Sequence, residues 1–125
     1  MTTQEKTMTT QEVAERFFEL AQQGKWAEIQ DELFSHDAKS IEPEGDEGLP
    51  SVQGIDKIRE KGKLFDQMLV EVHGGYCNEP QVAGRYFVCT MGLDATMKDQ
   101  GRVKMDEVAL YEVRDGKIIS EQFFS

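Results

Sequence analysis

Residues 105–125 read MDEVALYEVRDGKIISEQFFS, and this stretch decides the fold. Asp115-Gly116 predicts a tight turn, because glycine accepts positive φ without steric cost and aspartate can bond its own backbone. Val108, Ala109, Leu110, Tyr111 and Val113 lead into the turn; Ile118, Ile119, Phe123 and Phe124 lead out of it. The result is a hairpin whose two faces are both largely apolar. A sheet face that meets water is polar at alternate positions, so two apolar faces each need a cover. Helices of the same chain supply one cover. The other predicts a second copy packed across a two-fold axis, a homodimer through the sheet face.

Working upstream, residues 102–113, 83–97 and 70–78 also have strand character, with Lys98-Asp99-Gln100-Gly101 as a second hairpin turn. Before them the periodicity is helical. Thr9 and Glu12 fit a capping box, and Val13, Phe17, Leu20 and Ala21 form one stripe that ends at Gly24. Residues 26–34 predict a second helix with Trp26, Ile29 and Leu33 inward. Residues 38–42 predict a short strand stopped by Pro43, followed by an acidic loop containing Glu44, Asp46 and Glu47. A third helix starts near Gly54, with Ile55, Ile58, Gly62, Phe65 and Leu69 on its apolar face. Helices first and strands later give an α+β domain, a curved antiparallel sheet packed with three helices. Residues 1–10 are expected to be a flexible segment and residues 11–125 a single domain. Met1-Thr2-Thr3-Gln4-Glu5 repeats at Met8-Thr9-Thr10-Gln11-Glu12, and the first copy is expected to fray.

The chain of 125 residues carries 14 Lys and Arg against 24 Asp and Glu, a net charge of −10. That balance repels phosphate backbones and anionic lipid, so neither nucleic acid nor a membrane surface is an expected partner. No apolar run approaches the length of a membrane span, and the N-terminus lacks an apolar signal core, so the expected compartment is cytoplasmic. Cys77 and Cys89 fall in separate predicted strands. They are expected to be reduced core residues, with a disulfide between neighbouring strands as the alternative. His36 and His73 have no ligand spacing around them, so no metal and no cofactor are expected.

This order of elements resembles the SnoaL-like branch of the nuclear transport factor 2-like superfamily over residues 12–125. The matching residues are Glu42-Pro43 at the end of the short strand, the Gly54-led helix with Ile55 and Ile58, and the closing VALYEVRDGKIISEQFF. The resemblance implies a cone: a curved sheet wrapping a deep, mostly apolar pocket, in a fold where homodimers are common. It also implies candidate chemistry. The general-base carboxylate of ketosteroid isomerase falls at Glu42, and its protonated acid falls near Glu107. Asp106 is adjacent, and on a strand one of the two faces the pocket and the other faces away. A carboxylate in an apolar pocket has its pKa raised by desolvation, which suits proton abstraction near neutral pH. The helix position that carries the isomerase phenol is Phe17 here, so steroid isomerisation is not expected.

His73 is a further candidate base, beside Gly74-Gly75, where a bulge is expected. Phe17, Trp26, Phe65, Tyr86, Met91 and Tyr111 are candidates for the pocket lining, with ordinary core packing as the competing role. The sequence therefore points to a protein that binds a small apolar or aromatic molecule. The alternative is a cofactor-independent acid-base enzyme, of isomerase, cyclase or dehydratase type, with Glu42 as base.

Overall fold

The computed structural model describes residues 7–45 and 48–125. The first copy of the repeat, and Asp46 and Glu47 of the acidic loop, lie outside the described residues. Three helices and seven strands follow in the order α1 (Thr10–Gln22), α2 (Trp26–Leu33), β1 (Phe34–Ile41), β2 (Val52–Gln53), α3 (Ile55–Met68), β3 (Leu69–Cys77), β4 (Gln81–Ala83), β5 (Tyr86–Met97), β6 (Gly101–Arg114) and β7 (Lys117–Phe124). The expected α+β architecture is present.

Local chemistry sets the element ends. Thr9 accepts from the Glu12 amide while Glu12 accepts from the Thr9 amide, a complete capping box on α1. Asp115 and Gly116 take φ of 50° and 75°, the left-handed pair that a two-residue hairpin requires. Thr7 and Met8 pack closely over Gly116, so a β-carbon there would meet them at about 3 Å.

Several boundaries differ from expectation. The strand expected at 38–42 begins four residues earlier, directly at the end of α2, because Phe34 and Ala38 both bury. The strand expected over 83–97 is divided: Gly84 at φ 60° turns the chain, and β4 pairs with β5 as a small hairpin. The sheet order is β2-β1-β7-β6-β5-β3, and it is mixed, because β1 runs parallel to β7. Its remaining pairs are antiparallel. The irregularity expected near Gly74 is there, as a register shift between Val72 and Gly74.

The helices cover one face of this sheet. Alternation along β5 and β6 puts Phe87, Cys89, Tyr111 and Ala109 on that face, where all four are buried. Phe17 of α1 lies at their centre. Its ring is 5.3 Å from Phe87 and 4.7 Å from Tyr111, and those two rings stack 4.8 Å apart. Phe17 is only 1% exposed and packs the core. The other face stays open: Val108 and Phe124, a directly opposed pair, are 37% and 46% exposed. No helix of the described residues is long and apolar enough to cross a membrane.

Phe17→Ala removes the common partner of three rings. It is expected to cost about 3–5 kcal/mol of unfolding free energy, measured by chemical denaturation.

Candidate functional site

The parallel register of β1 and β7 puts Ser40 directly opposite Glu121. Both side chains point to the covered face, and the Ser40 hydroxyl donates to Glu121 Oε2 at 2.7 Å. Tyr111 stands opposite Glu121 on β6, with its phenol turned to the same face. Two residues beyond Ser40 the chain leaves the sheet at Glu42. Its amide donates to Ser51 Oγ at 2.9 Å, which ties the start of the acidic loop to its end. Its side chain turns inward and meets Lys61 of α3, with Nζ 2.7 Å from Oε2. The two side chains are only 11% and 7% exposed. Lys61 Nζ also lies 5.9 Å from the centre of the Phe123 ring.

The inward place on α3 therefore belongs to Lys61, where the sequence pattern favoured Gly62. A β-carbon on Gly62 would meet nothing within 4 Å, so no neighbour packs closely on that position. At 3.6 residues per turn both positions lie close to the Ile55–Ile58 stripe. The buried carboxylate of Glu42 draws the ammonium in, because an ion pair inside a low-dielectric region is far stronger than one in water.

Burial pushes the Glu121 carboxyl up to about 7, and neighbouring Glu42 adds to that; the bond from Ser40, the charge of Lys61 and the Tyr111 phenol oppose it. Burial, then the charge of Glu121, also pushes the Tyr111 phenol well above its ordinary value. The cluster thus holds one fixed ion pair and one carboxyl group that exchanges its proton near neutrality. Beside it a cleft of about 400 Å³ opens between the ends of β1 and β7. Ile41, Glu42, Pro43 and Glu44 line one side; Gln122, Phe123, Phe124 and Ser125 line the other.

The remaining candidates separate by face. Glu107 opposes Met91 on the covered side, where its charge reaches Cys89 and Tyr111. Asp106 lies on the open side and accepts from the Tyr76 hydroxyl at 2.6 Å. The Tyr76 ring crosses Gly92 there, leaving no room for a β-carbon. His73 is also away from the cluster: its Nε2 is 2.8 Å from Thr96 Oγ1. Tyr86, opposite Glu112, carries the Arg85 guanidinium over its ring, so it belongs to the open face rather than to a lining. Trp26 meets Phe17 edge-on but is 43% exposed, and Phe65 is half-buried on α3. Among the described residues no group of three His, Cys, Asp or Glu is placed to hold a metal ion.

The model of the SnoaL-like domain matches residues 8–125. The chain belongs to the SnoaL-like family. A protein from Mesorhizobium loti, provisionally named a SnoaL-like polyketide cyclase, is 38% identical, with a TM-score of 0.87 over 94% of this chain and 100% of that one. More distant likenesses show the fold alone. An NTF2-like protein of unknown function from Burkholderia pseudomallei is 13% identical, with a TM-score of 0.71 over 94% of this chain and 91% of that one. TerC, crystallised with polyporic acid, is 17% identical, with a TM-score of 0.70 over 92% of this chain and 89% of that one. No curated protein sequence matches significantly. In this SnoaL-like domain, Ser40, Lys61, Tyr111 and Glu121 complete the polar cluster around Glu42. Their only sequence signal is polar or charged residues at inward positions of otherwise apolar elements.

Lys61→Met leaves Glu42 buried and unpaired and is expected to cost about 3–5 kcal/mol; Glu42→Gln added to it restores most of that loss in a double-mutant cycle. Glu121 tests the electrostatics separately. Its folded value lies above its ordinary value of 4.5, so its protonated form stabilises the fold fully below that value. The contribution disappears as pH rises to about 7. Relative to Glu121→Gln, the wild type is expected to lose up to about 3 kcal/mol between these limits, read from denaturation curves across pH.

Proposed function

We propose that this SnoaL-like domain binds a small, largely apolar or aromatic molecule in the cleft at the ends of β1 and β7. The observation that carries this is the cleft's composition: Phe123 and Phe124 on one wall and Glu42 on the other. A ligand in the cleft meets the carboxylate of Glu42, which Lys61 holds in place from within. Ile41, Pro43, Phe123 and Phe124 offer apolar contact, and Glu42, Glu44, Gln122 and Ser125 offer polar groups, the two kinds of contact a small-molecule site combines. Saturation-transfer NMR with a panel of neutral one- to three-ring aromatic compounds tests it. Members of the panel are expected to bind, and Phe123→Asp is expected to abolish binding while the fold persists. No binding across the panel would reject the proposal.

A second role, a cofactor-independent acid-base enzyme, is favoured by the proton exchange of Glu121 near neutrality. In that role Glu42 takes a proton from carbon next to a carbonyl group. Lys61 balances the negative charge, and protonated Glu121 is the donor within the cluster. Exchange of the α-hydrogens of 2-tetralone into deuterium oxide distinguishes the two. Enzymatic exchange is expected to fall at least about 100-fold in Glu42→Gln, whose ligand binding is retained. Exchange equal to buffer alone in the wild type supports binding without catalysis.

The open sheet face supports a homodimer, because Val108, Phe124 and Tyr76 are each at least 37% exposed there. Light scattering on the purified protein is expected to give twice the chain mass. Val108→Asp with Phe124→Asp is expected to give a monomer.

A further inference from the structure

Two carboxylates line the cleft at the ends of β1 and β7, and they differ in what they hold. Glu42 is occupied by Lys61 at 2.7 Å, and Lys61 itself does not line the cleft. Glu44 is exposed, and among the described residues no lysine, arginine or histidine forms an ion pair with it. The opposite wall carries Phe123 and Phe124. The face of an aromatic ring is the negative part of its quadrupole and attracts a cation that comes over it. Phe123 shows this already, with the Lys61 ammonium 5.9 Å from its ring centre. Phe124 is 46% exposed and carries no such cation among the described residues.

We propose that the cleft selects an organic cation: an amine, protonated at neutral pH, on an apolar or aromatic body. This rests on the cleft being the ligand site and adds the charge of the ligand. The ammonium pairs with Glu44, and the body packs on Ile41, Pro43 and the two rings. Carboxylate and ring faces attract the same sign of charge, so both walls favour one ligand. A ligand carboxylate meets the reverse. Glu44 and the ring faces repel it, the chain as a whole carries −10, and the ammonium that could receive it is bonded to Glu42. A neutral ligand gains the apolar contact alone. An inorganic cation gains nothing from Ile41 or Pro43. Because Glu44 is exposed, water and salt weaken its attraction, so the preference is moderate and falls as salt rises.

Three probes with one ring system test this on the full chain: 2-naphthylmethylamine, 2-naphthalenemethanol and 2-naphthoate, with dissociation constants from isothermal titration calorimetry. The amine is expected to bind about tenfold more tightly than the alcohol, and the naphthoate more weakly than either. In about 0.5 M sodium chloride the preference for the amine is expected to shrink. Glu44→Gln is expected to bring the amine within about twofold of the alcohol. Asp99→Asn removes the same charge at the turn between β5 and β6 and is expected to keep the wild-type ratio, which separates the cleft from the general charge of the chain. Amine and alcohol within about twofold in the wild type, the wild-type ratio retained in Glu44→Gln, or naphthoate as the tightest ligand would each overturn the proposal. Binding of the alcohol without preference for the amine leaves the cleft as the ligand site and rejects only its charge selection. Binding of none of the three rejects both.

Discussion

The parallel seam between β1 and β7 is the constraint on which the rest of the molecule depends. It places Ser40 against Glu121, and it sets the point where the chain leaves the sheet at Glu42. α3 follows from that exit, because the Gly54 amide donates to the Ala38 carbonyl and so starts the helix against β1. Lys61 then reaches Glu42 two turns along. The aromatic trio of Phe17, Phe87 and Tyr111 closes the same face and excludes water from the carboxyl group of Glu121. The seam thus gathers Ser40, Lys61, Tyr111 and Glu121 from four separate elements.

Three ionisable groups in an apolar interior are tolerable because their charges nearly cancel. Glu42 and Lys61 neutralise each other, and Glu121 is largely neutral below about pH 7. Above that pH the cluster carries one surplus negative charge with little water to stabilise it. Burying charge without full compensation works against stability, so a core chosen for stability alone has no need of this arrangement. A site that must present polar groups to an otherwise apolar ligand does need it.

Much of this was legible in the sequence because the signals are local. Thr9 with Glu12 and Asp115 with Gly116 each contain their own explanation within four residues. Glu42 was legible through its position before Pro43 in the SnoaL-like pattern. The parallel seam was not, because nothing near residues 34–41 states which strand they join. Lys61 was missed for the same reason: hydrophobic periodicity prefers Gly62, and the lysine turns inward only for a carboxylate 19 positions away. Glu121 was not legible either, because nothing beside it in the sequence marks it as buried. Its burial depends on β7 sitting between β1 and β6 instead of at an edge.

That placement of β7 has a kinetic consequence. The bond from Ser40 to Glu121 joins residues 81 positions apart, and the strand it fastens is interior to the sheet. The hairpins β5–β6 and β6–β7 are close in sequence and can form early. β1, with the two helices before it, docks only after a very long loop closes, so it bears the largest entropic cost. Folding is therefore expected to be slow for a chain this short, with the seam as its final cooperative step. The site cluster would then be among the last features to assemble and would report directly on completion of the native state.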